Sequence, residues 1–191
     1  MRDLKKSFQT KKKTNIRFCG FGGQGILLSG FIFGSAAVSD GNKVLQTQSY
    51  GSESRGGGCH SDVIISGEEI NELAPSRFDA IVALSQKAYD TYVDSLHGNG
   101  TLVVDDDLVQ TGNDVPSGTY KIKATDIAHK KFGNKLAANM IMMGFTSAVV
   151  ESVSKDSLKN AIGRYVSKET SELNKKAFDE GYRLGKKQSA R

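Results

Sequence analysis

Polar Asn15 and Arg17 alternate with apolar Ile16 and Phe18, a period of two that predicts a strand over Asn15–Cys19. The chain then runs directly into Gly20-Phe21-Gly22-Gly23-Gln24-Gly25. Ile26, Leu27, Leu28, Phe31, Ile32 and Ala36 recur at intervals of three and four, which predicts a helix that stops at Asp40-Gly41-Asn42. Lys43–Thr47 and Cys59–Ser66 read as strands, separated by Ser49–Gly58, a stretch too polar and glycine-rich for regular structure. Asp79–Leu84 has the unbroken apolar character of a buried strand, and Ser85 is placed to cap a helix running to Ser95. Thr101–Val104 and Tyr120–Ala124 are further strands. Asp126 opens helical sequence that breaks at Gly133 and resumes over Lys135–Glu151, and two terminal helices are expected at Lys155–Val166 and Thr170–Lys187. Strands and helices alternate early and helices accumulate late. This predicts an α/β fold with a mostly parallel, Rossmann-like sheet flanked by helices and followed by C-terminal helices.

Composition narrows the class. The 191 residues, 38% hydrophobic and 25% charged, suit a soluble globular domain, and no apolar run approaches the roughly 20 residues of a membrane-spanning helix. The N-terminal residues are cationic without an apolar stretch behind them, so the expected compartment is cytoplasmic. The formal charge of +5 sits at the ends. Before Asn15, six cations (Arg2, Lys5, Lys6, Lys11, Lys12 and Lys13) stand against Asp3. From Leu173 onward, six more stand against Asp179 and Glu180, which leaves the body at −4. Residues 1–14 are therefore expected to be a basic flexible tail, and 15–191 a single α/β domain. A nucleic-acid reader carries its basic stripe on a folded face, so nucleic acid is not the expected partner.

Two glycine clusters carry the candidate chemistry. Gly20-x-Gly22-x-x-Gly25 follows a strand and opens a helix, where glycines permit a tight turn and leave helix amides facing an arriving group. Two nucleotide-binding schemes lack a part. The second strand ends in Leu45-Gln46-Thr47-Gln48, with no carboxylate for a ribose, and Ile26-Leu27 stands where a phosphate loop has Lys and Ser or Thr. The second cluster is Tyr50-Gly51-Ser52-Glu53-Ser54-Arg55-Gly56-Gly57-Gly58. Arg55 can grip a carboxylate or phosphate bidentately, with Glu53 orienting it, or the two can form an ion pair that stiffens a subunit contact. Because α/β sheets bind ligands beyond the carboxyl ends of their strands, both loops should share one edge. Close packing of helix on strand is an equal alternative for the first loop.

Other features are structural on this reading. Cys19 and Cys59 read as reduced core thiols, and neither they nor His60, His97 and His129 have metal-ligand spacing. Asp105-Asp106-Asp107 reads as a solvated acidic turn, and Leu136, Met140, Ile141, Met142 and Met143 as helix core. No serine elbow or Cys–His partnership appears.

Taken together, Gly20–Gly25, Gln48–Gly57, Ser61–Ser66 and Ala83-Leu84-Ser85-Gln86-Lys87-Ala88-Tyr89 resemble the gamma subunit of the 2-oxoacid:ferredoxin (acceptor) oxidoreductases, most nearly that of the 2-oxoglutarate enzyme, over about Asn15–Lys187. The resemblance implies oxidative decarboxylation of a 2-oxo acid to acyl-CoA, succinyl-CoA for 2-oxoglutarate, with two electrons passing to ferredoxin or flavodoxin. It implies alpha and beta subunits and a ferredoxin-like delta subunit, which together bind thiamine diphosphate, Mg2+ and [4Fe–4S] clusters, with coenzyme A as acyl acceptor. The chain itself would be inactive alone and bind no cofactor. Its contribution would be loops Gly20, Gly22, Gly23, Gln24, Gly25 and Tyr50, Gly51, Glu53, Ser54, Arg55, Gly56, Gly57, lining or gating a shared cleft. Two alternatives remain at this point: a stand-alone nucleotide-binding redox or regulatory module, and a pyruvate or branched-chain member of the same family. A scaffold that uses its basic ends on an acidic partner is a third.

Overall fold

The computed structural model describes residues 13–50 and 57–190. Its framework is a six-stranded sheet in the order β2-β3-β1-β4-β5-β6, formed by β1 (Thr14–Phe21), β2 (Lys43–Tyr50), β3 (Gly58–Ser66), β4 (Phe78–Ala83), β5 (Leu96–Asp105) and β6 (Thr119–Ile122). β1, β4, β5 and β6 pair in parallel, while β3 is antiparallel to both β1 and β2. Five strands therefore point one way and β3 alone is reversed, so β1 and β2 both end at the same edge.

Side-chain alternation sorts the helices onto two faces. Ile16, Phe18, Val63, Ile65, Ala80 and Val82 share one apolar core with α1 (Ile26–Ser39), α4 (Ala138–Val150), α5 (Lys155–Tyr165) and α6 (Lys168–Ser189). Cys19, Ile81, Ala83, Leu102 and Val104 form a smaller core against α2 (Gln86–Tyr92) on the opposite face. α1 follows β1 and leads leftward to β2, whereas α2 follows β4 and leads rightward to β5. Their departure on opposite faces opens a crevice between the ends of β1 and β4, the place where open α/β sheets receive ligands.

The expected elements are present, with local shifts that have physical causes. β1 starts at Thr14, Ser49 and Tyr50 extend the β2–β3 ladder through the pairs Ser49–His60 and Tyr50–Cys59, and Gly58 extends β3 by pairing with Phe21 of β1. β5 starts at Leu96 because Leu96 pairs with Phe78 ahead of the main register. Ala124 is the first residue of α3 (Ala124–Phe132) and not the end of a strand. Its helix is capped from 19 residues upstream: the buried Asp105 carboxylate accepts from the Ala124 amide at 3.1 Å and from the Thr125 hydroxyl at 2.6 Å. Asp107 accepts from the Asp126 amide at 2.7 Å. Asp105 and Asp107 thus form a remote cap, and only Asp106 is left as the exposed acid of the turn. Leu136 departs from the expected core: it sits on a short 3-10 turn before α4 and is 64% exposed.

α4 and α6 pack backbone to backbone. A methyl group at Gly181 would overlap the Ile141 carbonyl oxygen, and one at Gly144 would overlap the Phe178 carbonyl oxygen. Neither obstacle is a side chain that can rotate away. Gly181→Ala is accordingly expected to lower unfolding free energy by about 3 kcal/mol or more through forced helix separation, measurable by urea denaturation. A neutral effect would show that the two helices can part without loss.

Candidate functional site

The glycine motif folds into a turn whose center is a glutamine. Gln24 curls back so that its Oε1 accepts from the Phe21 amide at 2.7 Å, while its Nε2 donates to the Leu84 carbonyl at 2.7 Å. Phe21 ends β1 and Leu84 follows β4, so this one side chain spans the crevice between the two strands. The Leu84 amide in turn donates to the Cys19 carbonyl at 2.9 Å. Gly20 leaves the space that the Gln24 carboxamide fills. Gly25 takes a left-handed φ of 75° and begins α1 without any side-chain cap.

The Gly22 amide donates to the Gly57 carbonyl at 3.0 Å, which sets the end of the second cluster against the first. Tyr50, at the end of β2, is 66% exposed beside the same edge. Gly51, Glu53, Ser54, Arg55 and Gly56 lie outside the described residues. Gly20, Gly22, Gly23, Gln24 and Gly25 are brought together with Tyr50 and Gly57 on the carboxyl edge of the sheet.

Three clefts meet at Gln24. One of about 600 Å³ lies toward α2, between Phe21, Leu84, Gln86 and Leu108. A second of about 260 Å³ is bounded by Leu84, Leu108, Thr125, Lys135 and Asn139. The third, about 380 Å³, runs from Gly25 and Leu28 past Asn139 and Met140 to Val166 and Leu173. Leu108 and Leu136, 40% and 64% exposed, stand on their rims. Exposed apolar side chains around concave, backbone-rich openings are what a subunit contact requires. Sequence reasoning missed Asn139, Leu108 and Leu136. Asn139 is the only polar residue in Ala137-Ala138-Asn139-Met140-Ile141-Met142, and that interruption was its available signal.

The opposite sheet face carries a buried ionic knot. The Arg17 guanidinium donates from Nε and Nη2 to the two Asp62 carboxylate oxygens, each at 2.7 Å. It lies between the Phe78 and Tyr92 rings, 4.1 and 4.5 Å from their centroids. His60 hydrogen-bonds the Tyr92 hydroxyl at 3.0 Å. Burial, with the Arg17 charge adding to it, holds the His60 imidazole below its ordinary range, and burial raises the Tyr92 hydroxyl. The knot pins β1, β3, β4 and α2 beneath the crevice.

The donor set does not suit a cluster or metal cofactor. Cys19 and Cys59 are both buried on opposite sheet faces, and burial pushes the Cys19 thiol far above its ordinary range. Among the described residues no three His, Cys, Asp or Glu side chains converge as a metal site.

Two outcomes are expected. Because His60 is more readily protonated once unfolded, its neutral form favors the fold above about pH 6.5, and this contribution fades as pH falls below that value. Chemical denaturation across that range should therefore show a shallower acid loss for His60→Gln than for the wild type. Arg17→Ala strands the Asp62 carboxylate and is expected to cost about 3–5 kcal/mol in the same measurement.

The geometry can be set beside known proteins. The family model for pyruvate ferredoxin/flavodoxin oxidoreductase matches residues 15–184. A 2-oxoglutarate synthase subunit, KorC, of Methanocaldococcus jannaschii is 42% identical over 181 residues, covering 93% of this chain and 97% of that protein. The crystal structure of the keto/oxoacid ferredoxin oxidoreductase gamma subunit of Geobacter sulfurreducens superposes with a TM-score of 0.80 at 37% identity, covering 90% of this chain and 98% of that one. A 2-oxoglutarate:ferredoxin oxidoreductase of Magnetococcus marinus, solved with 2-oxoglutarate, coenzyme A and succinyl-CoA bound, superposes at 0.83 with 26% identity. There this chain covers 93% of its own length but 32% of the longer chain. Matched along nearly the whole α/β body in both sequence and fold, the chain belongs to the pyruvate ferredoxin/flavodoxin oxidoreductase family.

Proposed function

We propose that this chain is the gamma subunit of a heteromeric 2-oxoacid:ferredoxin oxidoreductase whose substrate is 2-oxoglutarate. The observation that carries the reading is the 42% identity to a 2-oxoglutarate synthase subunit over nearly the full length of both chains. The reaction is oxidative decarboxylation: the 2-oxo acid loses carbon dioxide, coenzyme A takes the acyl group as succinyl-CoA, and two electrons leave to ferredoxin or flavodoxin. Thiamine diphosphate with Mg2+ supplies the carbanion chemistry and [4Fe–4S] clusters carry the electrons. Two buried, separated cysteines do not fit a cluster, so these groups belong to alpha, beta and ferredoxin-like delta subunits.

The work left for this chain is to form one wall of a shared cleft. Gln24 holds the glycine turn to the end of β4, presenting a fixed edge of backbone groups, while Leu108, Leu136 and Tyr50 give that edge an apolar rim from which a docked subunit excludes water. Arg55, with Glu53, Ser54 and the adjoining glycines Gly51, Gly56 and Gly57, is the group we assign to meet a carboxylate or a coenzyme A phosphate, on the chemistry of its guanidinium and its place in the sequence two residues before Gly57. Residues 15–191 act as this one domain, residues 1–14 as a basic tail, and the enzyme works in the cytoplasm. Among the described residues no helix is long and apolar enough to cross a membrane.

Coexpression with the other subunits tests the reading. Omitting this chain is expected to abolish coenzyme A-dependent dye reduction with 2-oxoglutarate, and Leu136→Glu is expected to prevent copurification while leaving the chain folded. Arg55→Ala is expected to leave assembly intact and raise KM for 2-oxoglutarate or coenzyme A by roughly ten-fold or more, the loss of one charge-assisted contact. An assembled Arg55→Ala enzyme with unchanged kinetics would reduce Arg55 to a structural role.

A further inference from the structure

A second polar cleft lies at the amino end of the sheet, opposite the glycine edge. It opens to about 450 Å³ where β1, β4 and β5 begin, and Asn15 and Asp79 line it. Asn15 is only 6% exposed. Its backbone amide donates to Asp79 Oδ2 at 2.8 Å and its Nδ2 donates to the Arg77 carbonyl at 3.2 Å, which fixes the orientation of the carboxamide. The remaining Asn15 oxygen, Oδ1, is buried and has no hydrogen-bond partner among the described residues. The second Asp79 oxygen also accepts from none of them. Two acceptors, one of them charged, therefore stand side by side on the inner wall without a donor, and a buried acceptor left in that state costs the solvation it has lost.

The outer wall has the opposite character. Arg77 is exposed, and its guanidinium is anchored by Nη1 donating to the Asp94 and Leu96 carbonyls at 2.8 and 3.1 Å, which leaves its Nε and Nη2 donors unused among the described residues. Lys13 pairs with Glu72, so those two lining charges cancel. The charges that remain on the lining are the Asp79 carboxylate inside and the Arg77 guanidinium outside. A lone cation satisfies the inner acceptors but is repelled by Arg77, and a lone anion meets Arg77 but is repelled by the inner wall. A small zwitterion satisfies both: its ammonium donates to Asn15 Oδ1 and Asp79, and its carboxylate accepts from Arg77. Exposed Ser76, His97 and Asn99 border the space left for a side chain.

We propose that this cleft is a binding site for a free α-amino acid, held ammonium inward on Asn15 and Asp79 and carboxylate outward on Arg77. It goes beyond the gamma-subunit reading, lies at the far end of the sheet from the glycine edge, and needs no partner chain.

The full chain, titrated with glycine at neutral pH and followed by amide proton–nitrogen NMR, gives the test. Saturable shifts are expected at the Asn15 backbone and side-chain amides and at the Asp79 amide. Methylamine and acetate, each carrying one end of the zwitterion, should bind roughly ten-fold or more weakly. Arg77→Gln is expected to weaken glycine by a similar factor without weakening methylamine, a split that general loss of structure does not produce. Asp79→Asn keeps an acceptor for the Asn15 amide but removes the charge, and it should weaken glycine and methylamine together. No saturable shift at these amides, methylamine or acetate binding as well as glycine, or unchanged glycine binding by either folded variant would overturn the site. So would shifts at the same amides on replacing Lys11→Gln with Lys12→Gln in a chain that takes no glycine, because the inner acceptors would then serve the chain's own ammonium groups. Because the titration uses this chain alone, failure to copurify with partners and failure to bind glycine are independent results.

Discussion

Two neighboring parallel strands end together while their connections leave on opposite faces, and one glutamine closes the gap this creates. The edge depends on that bridge. Gln24 satisfies a β1 amide and a β4-end carbonyl at once, two groups that sheet pairing cannot reach where the ladder stops. Glycine is required at position 20 because the bridging side chain folds into the space a Cβ would take. The motif that resembles a dinucleotide fingerprint is thus accounted for by close packing as well as by any ligand. The missing ribose carboxylate near Gln46 agrees with this, since that side chain instead donates to Ser61 at 2.9 Å.

The layers behind the edge are tied by carboxylates acting across elements. Asp40, at the end of α1, accepts from the Ser154 amide at 2.6 Å and from the Ser154 and Ser157 hydroxyls at 2.7 and 2.5 Å, which locks the start of α5 to α1. Asp105 does the same between β5 and α3. Both acids sit at chain turns, satisfy otherwise orphaned helix amides, and need no metal. The close α4–α6 contact then fixes where α4 begins, and so where Asn139 enters the cleft. Part of the basic C-terminal stretch is engaged within the fold: Arg183, together with Lys131, reaches Glu180, whose carboxyl the Arg183 hydrogen bond helps pull down to about 2, and Lys186 pairs with Glu151.

A division of labor follows from these constraints. An edge built of backbone groups, an apolar rim and one bridging amide can bind, orient and exclude water, and among the described residues no metal-ligating set converges there. Two solved structures carry such a unit in chains of different length. In Geobacter sulfurreducens the matching chain is separate and of nearly the same extent, whereas in Magnetococcus marinus it corresponds to 32% of a longer chain.

The sequence by itself determined the element order and the α/β class, because hydrophobic period and glycine position are local properties that tertiary contacts reinforced; of the second glycine cluster, Tyr50 and Gly57 lie at the edge that carries the first. The Ser85 cap was legible for the same reason, and its hydroxyl accepts from the Ala88 amide at 3.3 Å. Glu53, Ser54 and Arg55 were likewise legible as candidates from residue type, although they lie outside the described residues. What only the tertiary structure decided are pairings between residues distant along the chain. Those are the reversal of β3, the Gln24–Leu84 bridge over 60 residues, the Asp105 cap on α3, the Arg17–Asp62 knot and the meeting of Asn139 with Gly25. An aspartate in an acidic run reads as solvated and an asparagine in a methionine run reads as incidental, since sequence pattern records each residue's neighbors in the chain and not the neighbors that folding later supplies.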